Sequence, residues 1–182
     1  NVDPLVLRYT LINAPYRQPV DFNQVMIDDS DNHHKRLLSC YGEGLSRHGS
    51  GDWGSFPELV DAANRLEEGM NDDFNTRIAL VEVQAVAKWL RGLLNSGGDE
   101  LGVSGAVGWI SEFAGDVLGL LPTDEEVLAR VESNEGMKDE VAPKVEGLLA
   151  ERENARKAKD WARADDIRDE LAEMGVVVED GP

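Results

Sequence analysis

Between Asn71 and Asn95 the apolar residues Leu80, Val83, Ala87, Leu90 and Leu94 recur every three or four positions, the spacing of one face of an α-helix. Ile78, Val81, Ala85 and Trp89 make a second stripe beside the first, so this helix reads as apolar on most sides and central to a bundle. Similar spacing recurs along nearly the whole chain. Ile27, His34, Leu38, Tyr41 and Leu45 mark a long helix that Asn23 can cap and that Gly42, Gly44 and Gly49-Ser50-Gly51 weaken and end. A short helix over 4–14 precedes it and must stop at Pro15 and Pro19, after which Val20 to Phe22 form an extended link. A loop over 48–54 leads to a helix over 57–69, and the carboxylates of Asp72 and Asp73 suit the positive end of the helix that follows. A Gly- and Ser-containing loop is expected over 95–105, before a helix marked by Ala106, Ile110, Phe113, Val117 and Leu121. Thr123 with Glu126 reads as a capping box opening a short helix.

The helical pattern lapses at Asn134-Glu135-Gly136, the best linker position in the chain. Beyond it, Val141, Val145 and Leu148 lie on one helix. Asp160 can cap another, carrying Ala164, Ile167, Leu171 and Met174, that Gly175 closes. Val176-Val177-Val178 then forms a short extended tail. The fold class expected is all-α: a junction over 1–22, a helical bundle over 23–133 and a small helical hairpin with an extended tail over 139–182.

Composition narrows function mostly by exclusion. The 182 residues carry 36 acidic against 18 basic side chains, a formal charge of −18 that on its face opposes nucleic acid. Arg outnumbers Lys 12 to 6, and an acidic, lysine-poor surface tolerates high salt, so a halophilic source is expected. The single cysteine, Cys40, can make no internal disulfide and no cysteine-based zinc site. His33 and His34 point about 100° apart on a helix and lack a second ligand pair, so no metal is expected there. There is no phosphate-binding glycine loop and no Ser or Cys nucleophile motif. Acidic pairs such as Asp72-Asp73 and Asp165-Asp166 arise readily among 36 carboxylates and read as solvated surface. Neither a membrane-spanning run nor a leader sequence is read, and the expected compartment is the cytoplasm.

Residues 152–168 stand apart. They hold six basic residues, Arg152, Arg156, Lys157, Lys159, Arg163 and Arg168, against four acidic ones, a net +2 that leaves −20 on the other 165 residues. Trp161 sits in the turn between two helices. An indole for stacking, guanidinium forks and nearby carboxylate acceptors are what binding of unstacked bases uses. An exposed amphipathic hairpin laced with ion pairs has the same composition, and charge runs ordinarily are solvated faces.

The order of residues here resembles a known family. Ala155-Arg156-Lys157-Ala158-Lys159-Asp160-Trp161-Ala162, then Ala164-Asp165, Arg168-Asp169-Glu170-Leu171, Met174-Gly175 and Glu179-Asp180-Gly181-Pro182 resemble the C-terminal signature of the cysteinyl-tRNA synthetases. Tyr16-Arg17-Gln18-Pro19-Val20-Asp21-Phe22 is similar to the family's junction after the catalytic core. Met70-Asn71-Asp72-Asp73-Phe74-Asn75-Thr76 is similar to its M-x-D-D-[FL]-[ND]-T helix start, with Arg77 where the family usually has Pro. The resemblance implies a fragment without the family's ATP motifs or its cysteine-selecting zinc ligands. ATP and zinc would then belong to the full-length enzyme, and this chain would need no cofactor. It implies an anticodon-reading part that partners the anticodon stem-loop of cysteine tRNA and its own N-terminal catalytic domain, as a monomer. Carried over by position, the anticodon-contacting residues fall on Arg156, Trp161, Asp165 and Asp180. Two alternatives differ in class: a stand-alone helical protein-binding adaptor derived from the synthetase, and a cysteine ligase of thiol biosynthesis, which would need no anticodon hairpin.

Overall fold

A computed structural model describes residues 2–17, 19–157 and 160–173, with the backbone alone described for 134–144, 146, 162, 169, 172 and 173. These residues form α1 (Pro4–Ile12), α2 (Gln24–His48), α3 (Pro57–Asn71), α4 (Thr76–Ser96), α5 (Glu100–Ile110), a π-helical continuation of α5 (Ser111–Val117), α6 (Asp124–Lys157) and α7 (Trp161–Glu173). No strand occurs among the described residues, in keeping with the all-α expectation. The chain divides into two compact units, Asn1–Val131 and Glu132–Pro182.

Local chemistry sets most of the helix ends in the first unit. The Asn23 carboxamide accepts the Met26 N–H at 3.0 Å, and Gly49 closes α2 at φ 69°, as the sequence predicted. Asp3 caps α1 by accepting from the Leu5 N–H, and Pro4 follows at the first helical position. At Thr123 the capping box forms in both directions: the Glu126 carboxylate accepts the Thr123 N–H at 3.0 Å, and the Thr123 hydroxyl accepts the Glu126 N–H at 3.3 Å.

Four expectations are corrected. The loop expected over 95–105 is shorter, because Asp99 accepts the Gly102 N–H at 3.2 Å and starts α5 at Glu100. The box at Thr123 opens a helix of 34 residues rather than a short one, and α6 runs unbroken through Asn134–Gly136, where a lapse was expected. Glycine costs only about 1 kcal/mol inside a helix, less than neighbouring helix-formers return. The Asp72-Asp73 carboxylates, expected to suit the positive end of α4, lie ahead of its Asn75 N-cap and not in its first turn. Asp73 instead accepts the Tyr16 hydroxyl and the Arg17 guanidinium, each at 2.6 Å, tying together the two upstream motifs of the sequence. Finally, α4 is not apolar-covered all round: Leu80, Val83 and Leu90 are buried, but Val81 and Ala85 are exposed.

Helices α2 to α5 share a core in which Trp109 is fully buried, donates its indole N–H to the Leu59 carbonyl at 3.0 Å and packs on Phe113 at 4.6 Å between ring centroids. Glycine lets α5 come this close to the loop before α3: a Cβ on Gly108 would lie 2.0 Å from the Gly51 carbonyl oxygen. His34 hydrogen-bonds the Leu120 carbonyl at 2.7 Å inside the same core.

Cys40 and Tyr41 are buried beside one another, and burial pushes the thiol up to about 11 and the phenol up to about 12. Each holds its proton to higher pH folded than unfolded, so their contribution to stability is full below about pH 9 and is lost as pH rises through 11 to 12. Alkylation by iodoacetamide at pH 8 is expected to be about a hundredfold slower for the native chain than for the chain in urea, from thiolate fraction alone. Equal rates would show that the thiol is not enclosed by α2 and its neighbours.

Candidate nucleic-acid interface

The second unit is a hairpin made by the C-terminal part of α6 and by α7. Its small core is Leu148, Ile167 and Leu171, with Val145 packed against them and Ala164 also buried. These are the residues whose spacing the sequence singled out, apart from Val141, whose side chain is outside the described set, and Met174, which lies outside the described residues together with the Gly175 cap and the tail at 176–178. With the apolar faces turned inward, the described charged residues of 151–168 are left outside, apart from the buried Arg152. Asp160 caps α7 by accepting the Arg163 N–H at 3.2 Å, and its own N–H donates to the Ala155 carbonyl at 2.9 Å, which fixes the turn.

That turn places Trp161 at the start of α7, beside the end of α6. The indole is 59% exposed, a large apolar surface left in water at a fixed point. It lines a concavity of about 390 Å³ with Leu149, Arg152, Glu153, Arg156 and Lys157. The α6 members, 149, 152, 153, 156 and 157, follow the i, i+3, i+4, i+7, i+8 pattern of one helix face. Of the four residues singled out by resemblance, Arg156 and Trp161 therefore share one recess. Asp165 lies one helical turn beyond Trp161 on α7, exposed and paired with Arg168 at 3.2 Å, and does not line it. Asp180 lies outside the described residues.

Arg152, Leu149 and Lys157 were not singled out as site residues, although helical spacing from Arg156 identifies the first two. Arg152 is buried, and its Nε is the single buried side-chain nitrogen or oxygen among the described residues with no hydrogen bond, though Arg152 has other interactions. Lys157 donates to Glu153 at 2.7 Å, which holds that carboxyl below its usual range. Arg163 reaches the Glu151 carboxylate with two nitrogens at 2.8 and 3.0 Å, locking α7 to α6 on the flank of the recess. These exposed pairs add little stability. What they do is hold charged side chains around an open indole.

This arrangement can take a flat aromatic group on the indole and present guanidinium donors to its edge or to a phosphate. It offers no nucleophile paired with a base and no metal site. No group of three or more His, Cys, Asp or Glu among the described residues is placed to hold a metal. The Cys40 thiol is enclosed with its pKa raised, His34 is engaged with Leu120, and His33 is stacked on Tyr9, so these three do not fit zinc. No described helix is long and apolar enough to cross a membrane.

Comparison with known proteins gives the same region a family. Residues 138–182 match the family model described as the cysteinyl-tRNA ligase anticodon binding domain, and residues 58–122 match the DALR domain. The chain is 34% identical over 182 residues to the cysteine–tRNA ligase of Chlorobaculum tepidum, an alignment covering 98% of the chain. It is 36% identical over 177 residues to that of Halorhodospira halophila, and 37% identical over 180 residues to that of Laribacter hongkongensis. In each case it spans 36% of the relative's length.

Proposed function

On the premise that the chain belongs with the C-terminal, anticodon-binding portion of the cysteine–tRNA ligase family, we propose that it binds cysteine tRNA and reads its anticodon loop with the recess at the α6–α7 turn. The observation that supports this most is an exposed tryptophan sharing one concavity with the Arg156 guanidinium. Trp161 stacks an unpaired base, Arg156 donates to a base edge or a phosphate, and Asp165 and Asp180 accept from base N–H groups. Arg152 and Lys157 add positive potential around the same recess.

These residues bind; they do no bond-breaking chemistry. Attachment of cysteine to the tRNA, with ATP and zinc, would fall to an N-terminal catalytic domain that this binding part positions against its substrate, in the cytoplasm. The chain acts as a monomer in this reading, and the acidic bundle suits a high-salt interior. The charge of −18 does not oppose it, because residues 152–168 carry +2.

The test compares two stem-loops, one with the cysteine anticodon and one with those three bases changed. The chain is expected to prefer the first, and Arg156→Ala to erase the preference while circular dichroism stays that of a folded helical protein. Equal affinity of the unaltered chain for both loops would refute anticodon reading.

A further inference from the structure

The first unit contains 21 acidic and 10 basic residues, yet one groove on it is lined by four of those cations and by no carboxylate. It lies between α2 and α4 and has a volume of about 670 Å³. Lys35 and Arg36 stand on the α2 side, and Lys88 and Arg91 on the α4 side. Lys35 is held by Asp31 at 2.6 Å, and Arg91 by Glu43 at 2.5 Å. Arg36 and Lys88 are exposed and have no carboxylate partner among the described residues.

The groove is apolar beneath those cations. Val81 and Ala85, with Lys88, follow one another at spacings of four and three along α4, and Val81 is 63% exposed. This is part of the second stripe that the sequence places in a bundle core. No described residue of the first unit covers it. A row with core composition, left open between two rigid helices and edged by unpaired cations, is the receptor side of helix-in-groove recognition. The ten helical steps from Val81 to Arg91, at 1.5 Å each, make a floor about 15 Å long, room for roughly three turns of a partner helix. An RNA backbone would use the cations and leave the valine and alanine floor unmatched. An apolar helix without carboxylates would leave the cations unmatched.

We propose that the α2–α4 groove docks an acidic amphipathic helix of a protein partner, with apolar side chains against Val81 and Ala85 and carboxylates on Arg36 and Lys88. This surface shares no lining residue with the α6–α7 recess and does not depend on the RNA reading.

The probe is a capped 14-residue helical peptide with Leu at positions 4, 7, 8 and 11 and Glu and Ala elsewhere, titrated into the labelled chain by NMR. A second peptide has Lys for every Glu, and a third ligand is a short RNA duplex. The acidic peptide is expected to shift the amides of 33–40 and 81–91, and the lysine peptide to leave them unmoved. The double variant Arg36→Glu, Lys88→Glu is expected to weaken the acidic peptide at least tenfold without moving the thermal melt, since both side chains are exposed. Val81→Asp should weaken it similarly. Shifts elsewhere on the chain, no shift at all, or equal response to both peptides would overturn the proposal. So would tighter occupation of the same amides by the RNA duplex, which would make the groove a nucleic-acid surface instead.

Discussion

Replacing Trp161 by alanine is expected to weaken binding of the cysteine-tRNA anticodon stem-loop by roughly ten- to a hundredfold, the loss of one base–aromatic stack worth about 1–3 kcal/mol. Because the indole is 59% exposed and lies outside the core of Leu148, Ile167 and Leu171, the same change should scarcely move the melting temperature. Trp161→Phe should recover most of the affinity, since a phenyl ring keeps a stacking face. Binding by filter retention or anisotropy, set beside a thermal melt, separates the two effects. Unchanged affinity for Trp161→Ala would mean that RNA does not enter the recess. Lost affinity accompanied by a lowered melt would mean that the indole supports the hairpin rather than the ligand.

The opposite pattern is expected at Trp109. Its ring is fully buried, packs on Phe113 and has its N–H bonded to the Leu59 carbonyl. Trp109→Ala removes the largest buried side chain of the first unit and leaves the Leu59 carbonyl without its donor. Large aromatic truncations of this kind cost roughly 3–5 kcal/mol. The first unit should therefore melt on the order of 10 °C lower. Stem-loop affinity measured well below that melt should be unchanged if the second unit reads the RNA by itself. Scanning calorimetry is the right measurement, because two compact units need not unfold in one transition.

The contrast between these tryptophans shows what a sequence can and cannot disclose. Helix identity was legible over most of the described chain, because the spacing of Leu80, Val83 and Leu90, or of Ala164, Ile167 and Leu171, is fixed by which face must be buried. Caps were legible where one side chain does the work, as at Asn23, Thr123 and Asp160. Asp73 was read only as a charge suited to the start of α4 because its partners, Tyr16 and Arg17, are 57 and 56 residues away, and no local rule carries that information. The α4 stripe was misread for a related reason. Periodicity shows that Val81 and Ala85 share a face, but which face finds a neighbour depends on how many helices the unit has and where they pack.

The recess follows the same logic. Resemblance supplied Arg156 and Trp161, and the turn at Asp160 explains why two residues five apart in sequence, on different helices, line one cavity. Arg152 and Leu149 could have been added from helical spacing alone, by stepping back four and seven residues from Arg156. Charge was misleading only as a sum. A total of −18 argues against RNA, whereas its distribution leaves a net positive segment at the proposed site of contact.

The most direct measurement is a map of amide shifts over the whole chain as the cysteine anticodon stem-loop is added. The expected result is a cluster of the largest shifts within 149–165, with the indole N–H of Trp161 moving and those of Trp109 and Trp53 still. Shifts concentrated in the first unit, with Trp161 unmoved, would contradict the assignment of RNA reading to the α6–α7 turn.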